Sequence, residues 1–94
     1  MTYYKMSDYT IMGYRKSSTA GKKYDAILIR KNDKKLVYVP FGAVGYETFK
    51  DTTGLGLYKV HKDKMRRKSY IARHMGFIKP GYYSPGYFSL KKLW

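Results

Sequence analysis

A chain of 94 residues makes one small domain, below the length at which folds divide in two. Lys and Arg number 20 against 6 Asp and Glu, a formal charge of +14. That excess excludes an ordinary neutral domain and calls for an acidic partner: nucleic acid, an anionic membrane or an acidic protein surface.

Val, Ile, Leu and Phe together supply 19 residues, thin material for a core, and 12 Tyr, 5 Met and 1 Trp make up the difference. A tyrosine ring buries about 150–250 Å² while its hydroxyl reaches a polar partner, so it suits half-wet cores and interfaces alike. Cysteine is absent, which removes disulfides and thiolate zinc sites and reads as an intracellular or redox-indifferent chain. The longest nearly uncharged stretch, 36–47, is far short of the roughly 20 apolar residues of a membrane span. Residues 1–8 lack the apolar segment of a signal peptide.

In chain order, 9–15 alternates loosely as a first strand and ends at the loop 17–21. In the next strand, 24–30, Tyr24, Ala26 and Leu28 share one face, and Asp25, Ile27 and Ile29 share the other. A charged turn, Lys31-Asn-Asp-Lys34, joins it to 36–41, rich in β-branched and aromatic residues, to make a hairpin. Residues 9–41 therefore predict a small antiparallel meander. Glycines 42, 45, 54 and 56 punctuate an irregular stretch over 42–61.

The segment 62–75 predicts a basic helix capped by Asp63 and stopped by Gly76. Met65, Ile71, Ala72 and Met75 fall on one arc, the expected buried face. Arg66, Arg67, Tyr70, Arg73 and His74 fall on the opposite arc. Between 59 and 73 there are seven basic residues against Asp63 alone, so an acidic partner is favoured over a merely solvated face. The expected partner-binding set is Lys62, Arg66, Arg67, Tyr70, Arg73 and His74. Arginine forks suit phosphate and carboxylate nearly equally.

The tail, 76–94, repeats Pro-Gly-Tyr at 80–82 and 85–87, two expected turns, and is read as an extended aromatic docking segment. Tyr87, Phe88, Leu90, Leu93 and Trp94 are costly to leave in water and are the expected apolar anchors. The whole reads as α+β. No nucleophile, base and orienter set is visible, so no catalytic role is expected. Nor is a cofactor: Gly54-Leu-Gly56 lacks the rest of a phosphate-loop pattern. His61 and His74 lie thirteen residues apart with few carboxylates, so no metal is expected.

The motifs Phe41-Gly-Ala-x-Gly-Tyr46, His61-Lys-Asp63, Arg66-Arg-x-x-Tyr70-Ile-Ala-Arg73-His74, Gly86-Tyr-Phe-Ser and Leu93-Trp94 occur in that order. Over 24–94 the chain resembles a family of small basic proteins of nucleocytoplasmic large DNA viruses, those of algae and protists. It departs from the family's pattern by inserting 51–57 and by a Pro80–Tyr87 segment where a more polar, Trp-containing linker is expected. The resemblance implies a setting rather than an activity: a virion, with assembly in the host cell. There it implies a minor capsid protein whose partners are the major and other minor capsid proteins. Viral DNA, packaged or regulated, is the alternative partner.

Overall fold

The structure, a computed structural model, describes residues 3–94, with Phe77 described in its backbone alone. Its centre is an antiparallel three-stranded sheet in the order β2–β3–β4, comprising β2 (Tyr9–Lys16), β3 (Lys22–Arg30) and β4 (Leu36–Ala43). The α+β class and the meander follow the sequence reading. A short strand β1 (Tyr4–Lys5) pairs with β5 (Tyr82–Tyr83), which ties the start of the described chain to its tail.

Alternation places the core as expected. Tyr24, Ala26 and Leu28 of β3 lie opposite Phe41, Val39 and Val37 of β4, and all but the half-buried Val37 are fully buried. The loose alternation of β2 has a physical cause. Its register slips between Ile11 and Gly13, a bulge that leaves Met12 unpaired and 61% exposed. Skipping one residue lets Tyr9, Ile11 and Tyr14 all pack on the core despite their mixed parity.

The tail closes this core. Read from the sequence as extended, it is helical: α2 (Pro85–Phe88) runs into a π-helical turn, Ser89–Leu93. The Ser84 side chain accepts from the Tyr87 amide and Pro85 takes the first turn, so the second Pro-Gly pair opens a helix instead of a bend. The first pair does form a turn, with Gly81 at φ 83° and the Tyr82 amide bonded to Lys79 O. Phe88, Leu93 and Trp94 enter the core, and Tyr87 and Leu90 pack against it. The anchors expected to dock on a neighbour therefore dock on the chain's own sheet, because a sheet with so little aliphatic material needs them.

The stretch 42–61 is irregular apart from a bridge between Thr48 and Val60. The Lys50 and Thr52 amides bond to Leu93 O and Lys92 O, so it is strapped to the tail. After it comes α1 (Lys64–His74), followed by a 3-10 turn over Met75–Phe77. Gly76 lies inside that turn and does not end the helix; the chain turns extended at Ile78.

Candidate functional site

The helix α1 starts where the sequence places it. Asp63 Oδ1 accepts from the Met65 and Arg66 amides at 2.9 and 3.3 Å, and its own amide donates to His61 Nδ1 at 2.8 Å. The face it buries matches the expected one only at Ile71. Met65 and Met75 are 73% and 56% exposed and Ala72 is exposed, while Arg67, Tyr70, Ile71 and His74 are half-buried.

Trp94 is the reason. Its ring stacks on Tyr70 at 4.2 Å with 4° between the planes, and Tyr70 stacks on His74 at 4.0 Å. Two rings cannot share one face of a phenol at that separation, so Tyr70 sits between them. Arg67 Nε donates to Trp94 O at 2.7 Å, and the guanidinium lies 5.3 Å from the Phe49 ring centre. Rings and guanidinium stems bury well when their polar ends are satisfied, and the slim side of the helix offers nothing comparable.

The expected partner-binding set therefore divides. Arg67 and Tyr70 hold the helix to the tail, and His74 bonds Tyr70 O through Nδ1 while facing a cleft. Arg66 and Arg73 are exposed and line the same cleft, whereas Lys62, exposed with φ 56°, lies outside its lining, just before the cap. Burial raises the Tyr70 phenol above its ordinary pKa, against a hydrogen bond with Ser89 that lowers it.

The cleft has a volume of about 710 Å³. One wall is α1, from Met65 to His74 by way of Arg66, Ser69, Tyr70 and Arg73. Facing it are Lys22, the end of β4 and the loop residues Tyr46, Glu47 and Thr48, with Pro85, Gly86, Ser89 and Trp94 of the tail completing the lining. Lys22, Tyr46, Glu47 and Ser69 were not among the expected site residues. They come from three separated segments, and no local periodicity links them.

A buried polar cluster holds the loop wall. Lys23 is 2% exposed, donates to Tyr46 O, and its burial lowers its pKa against the pull of Asp51 and Glu47. Tyr24 donates to Asp51, whose other oxygen accepts from the Thr53 amide and hydroxyl at 3.0 and 2.6 Å. The Leu57 amide donates to Tyr24 Oη at 3.1 Å.

Charge in the cleft is one-sided. Among the described residues ion pairs form only between Arg15 and Asp25 and between Arg30 and Asp33. Arg66, Arg73 and Lys22 thus face the cleft without a carboxylate bonded to them, Glu47 being the one acid in its lining. Among the described residues no three His, Asp or Glu stand together as a metal site, and no helix is long and apolar enough to cross a membrane. Comparison with protein-family models, curated proteins and solved structures finds no match to this chain.

Proposed function

We propose that this chain is a non-enzymatic structural protein of a large DNA virus particle, held in place by its basic helix and cleft against a polyanionic partner. The observation that carries the reading is uncompensated charge. Four of the six carboxylates, Asp25, Asp33, Asp51 and Asp63, are engaged in hydrogen bonds within the chain. Arg66 and Arg73 stay open to solvent on the helix α1. Arginine in that condition suits phosphate or carboxylate. The viral setting rests on the ordered motifs from Phe41 to Trp94.

The tail's apolar residues occupy the chain's own core, which favours an electrostatic attachment over an apolar anchor. A second reading, a minor capsid protein bridging capsid proteins, is favoured by the other face of the sheet. There Met12, Leu36 and Tyr38 are exposed beside Ile27 and Ile29, with the Arg15 guanidinium 3.8 Å from the Tyr38 ring centre.

Quantitative mass spectrometry on purified particles, split into nuclease-treated shells and genome cores at high salt, tests both. Release with the genome supports attachment to DNA. Retention on salt-washed shells at a fixed ratio to the major capsid protein supports the capsid role, and absence from particles overturns both.

A further inference from the structure

We infer that the cleft beside α1 takes a single strand of nucleic acid, with phosphates on Arg66, Arg73 and Lys22 and a base stacked on Tyr46. The inference rests on the reading of the chain as a polyanion-binding protein and names the polyanion.

Three features of the cleft select the strand. The first is size. At about 710 Å³ it lies within the range of small-ligand sites, about 300–1,000 Å³, and so admits a few atoms' width of ligand rather than a duplex. The second is the layout of the cations. Arg66 and Arg73 are seven residues apart on one helix, about 10 Å along its axis, and Lys22 stands on a strand across the cleft. A backbone with repeated charges meets cations on both sides of its path.

The third feature is the mouth. Tyr46 is 72% exposed, and Met65 beside the cleft is 73% exposed. No other ring of the described chain packs on Tyr46, although its carbonyl is fixed by Lys23. An exposed aromatic beside a cationic groove is the arrangement on which bases stack without regard to sequence. An acidic peptide gives arginine the same fork, but its carboxylates bring no aromatic face to stack on the Tyr46 ring.

The test is fluorescence anisotropy of the full chain with a labelled oligothymidine of about 12 nucleotides, within the span single-strand sites cover, at about 150 mM salt, where exposed charges are well screened. Arg66→Gln with Arg73→Gln is expected to weaken binding about tenfold or more. Lys31→Gln with Lys35→Gln removes the same charge from the exposed β3–β4 turn and is expected to weaken it less than about threefold, the bulk counterion effect. Tyr46→Ala is expected to weaken the single strand about tenfold and to leave a duplex of equal length nearly unchanged.

All the substituted side chains are exposed, and unchanged Trp94 emission verifies the fold of each variant. Equal loss in the two double variants, no effect of Tyr46→Ala, or equal competition by a glutamate-rich peptide overturns the inference. Should the single-strand result fail while the protein still partitions with particles, the proposed function stands and the inference falls. Cleft-dependent binding of the strand by a protein absent from particles upholds the inference and overturns the proposed function.

Discussion

The ring of Trp94 lies parallel to that of Tyr70, 4.2 Å away and tilted by 4°, and this contact fastens the basic helix to the sheet domain. No residue of α1 is fully buried, so the helix has little else to hold it. Eleven residues are too few for a stable helix in water without tertiary support. Trp94→Ala is expected to destabilise the chain by about 3–5 kcal/mol, the usual cost of deleting a large aromatic from a core. Tyr70→Ala is the finer probe. It removes the stack but leaves the one tryptophan of the chain as reporter, so Trp94 emission should shift to the red and α1 amides should exchange faster than those of β3. Unchanged emission together with protected α1 amides would show that the Arg67 bond to Trp94 O holds the helix without the stack.

A second dependence sits where the tail crosses β4. Gly42 has φ 77°, and a Cβ built there would lie 2.8 Å from Leu93 Cδ1. Leu93 is buried, which limits how far it can retreat. Gly42→Ala therefore combines left-handed strain with overpacking and is expected to cost about 2–4 kcal/mol. Gly45→Ala also meets a positive φ, 97°, but has nothing within 4 Å of its added methyl. It is expected to cost about half as much, the strain alone. Urea midpoints of the two variants measure the difference, and equal losses would remove the steric part of the argument.

The hairpin and the helix cap were legible because each rests on a local rule. Alternation over Tyr24, Ala26 and Leu28 gives the inner face, and Asp63 before a run of helix formers gives the start of α1. The buried face of α1 was not fully legible, since hydropathy favours Met65 and Met75 while the contact with the tail is made by Arg67 and Tyr70. Their polar ends meet Trp94 O and Ser89, partners that only the folded tail brings near, while His74 bonds back to Tyr70 O within the helix. For the same reason the tail read as an anchor for a neighbour: nothing local shows that the sheet lacks a cover. Ser84-Pro85 did carry a usable signal, a cap followed by the proline that favours a first helical turn. The cleft had none, because Lys22, Tyr46 and Arg66 meet only through the topology.

The β3–β4 turn offers a gain instead of a loss. Lys34 holds φ 60°, and its amide bonds to Arg30 O at 2.8 Å. That left-handed place in a longer hairpin loop normally goes to glycine. Lys34→Gly removes the side-chain strain, about 1–2 kcal/mol, against the greater freedom of glycine in the unfolded chain. A net stabilisation of about 0.5–1 kcal/mol is expected, seen as a rise of several degrees in Tm for a domain of this size. A lower Tm would mean that the freedom of glycine in the unfolded chain, with any contact of the Lys34 side chain, outweighs the strain.

The buried cluster behind the cleft loop makes stability depend on acid. Burial works to raise the Asp51 pKa, but hydrogen bonds from Thr53 and Tyr24, with Lys23 nearby, overcome it and hold the group below the usual carboxylate value. A carboxylate depressed in the folded state stabilises fully above its unfolded pKa, about 3.9, and loses that contribution as pH falls through the folded value. At pH 7 Asp51→Asn is expected to cost about 1–2 kcal/mol, the scale of hydrogen bonds to a charged acceptor. At about pH 3, below the unfolded pKa, the gap between the two proteins should narrow, because the unfolded wild-type carboxyl is then mostly protonated and folding must work against that proton. Urea unfolding followed by Trp94 emission at both pH values isolates this group, since the other five carboxylates are common to both proteins. A gap independent of pH would mean that Asp51 acts through shape and neutral hydrogen bonding, with its charge contributing nothing to the loop that carries Tyr46.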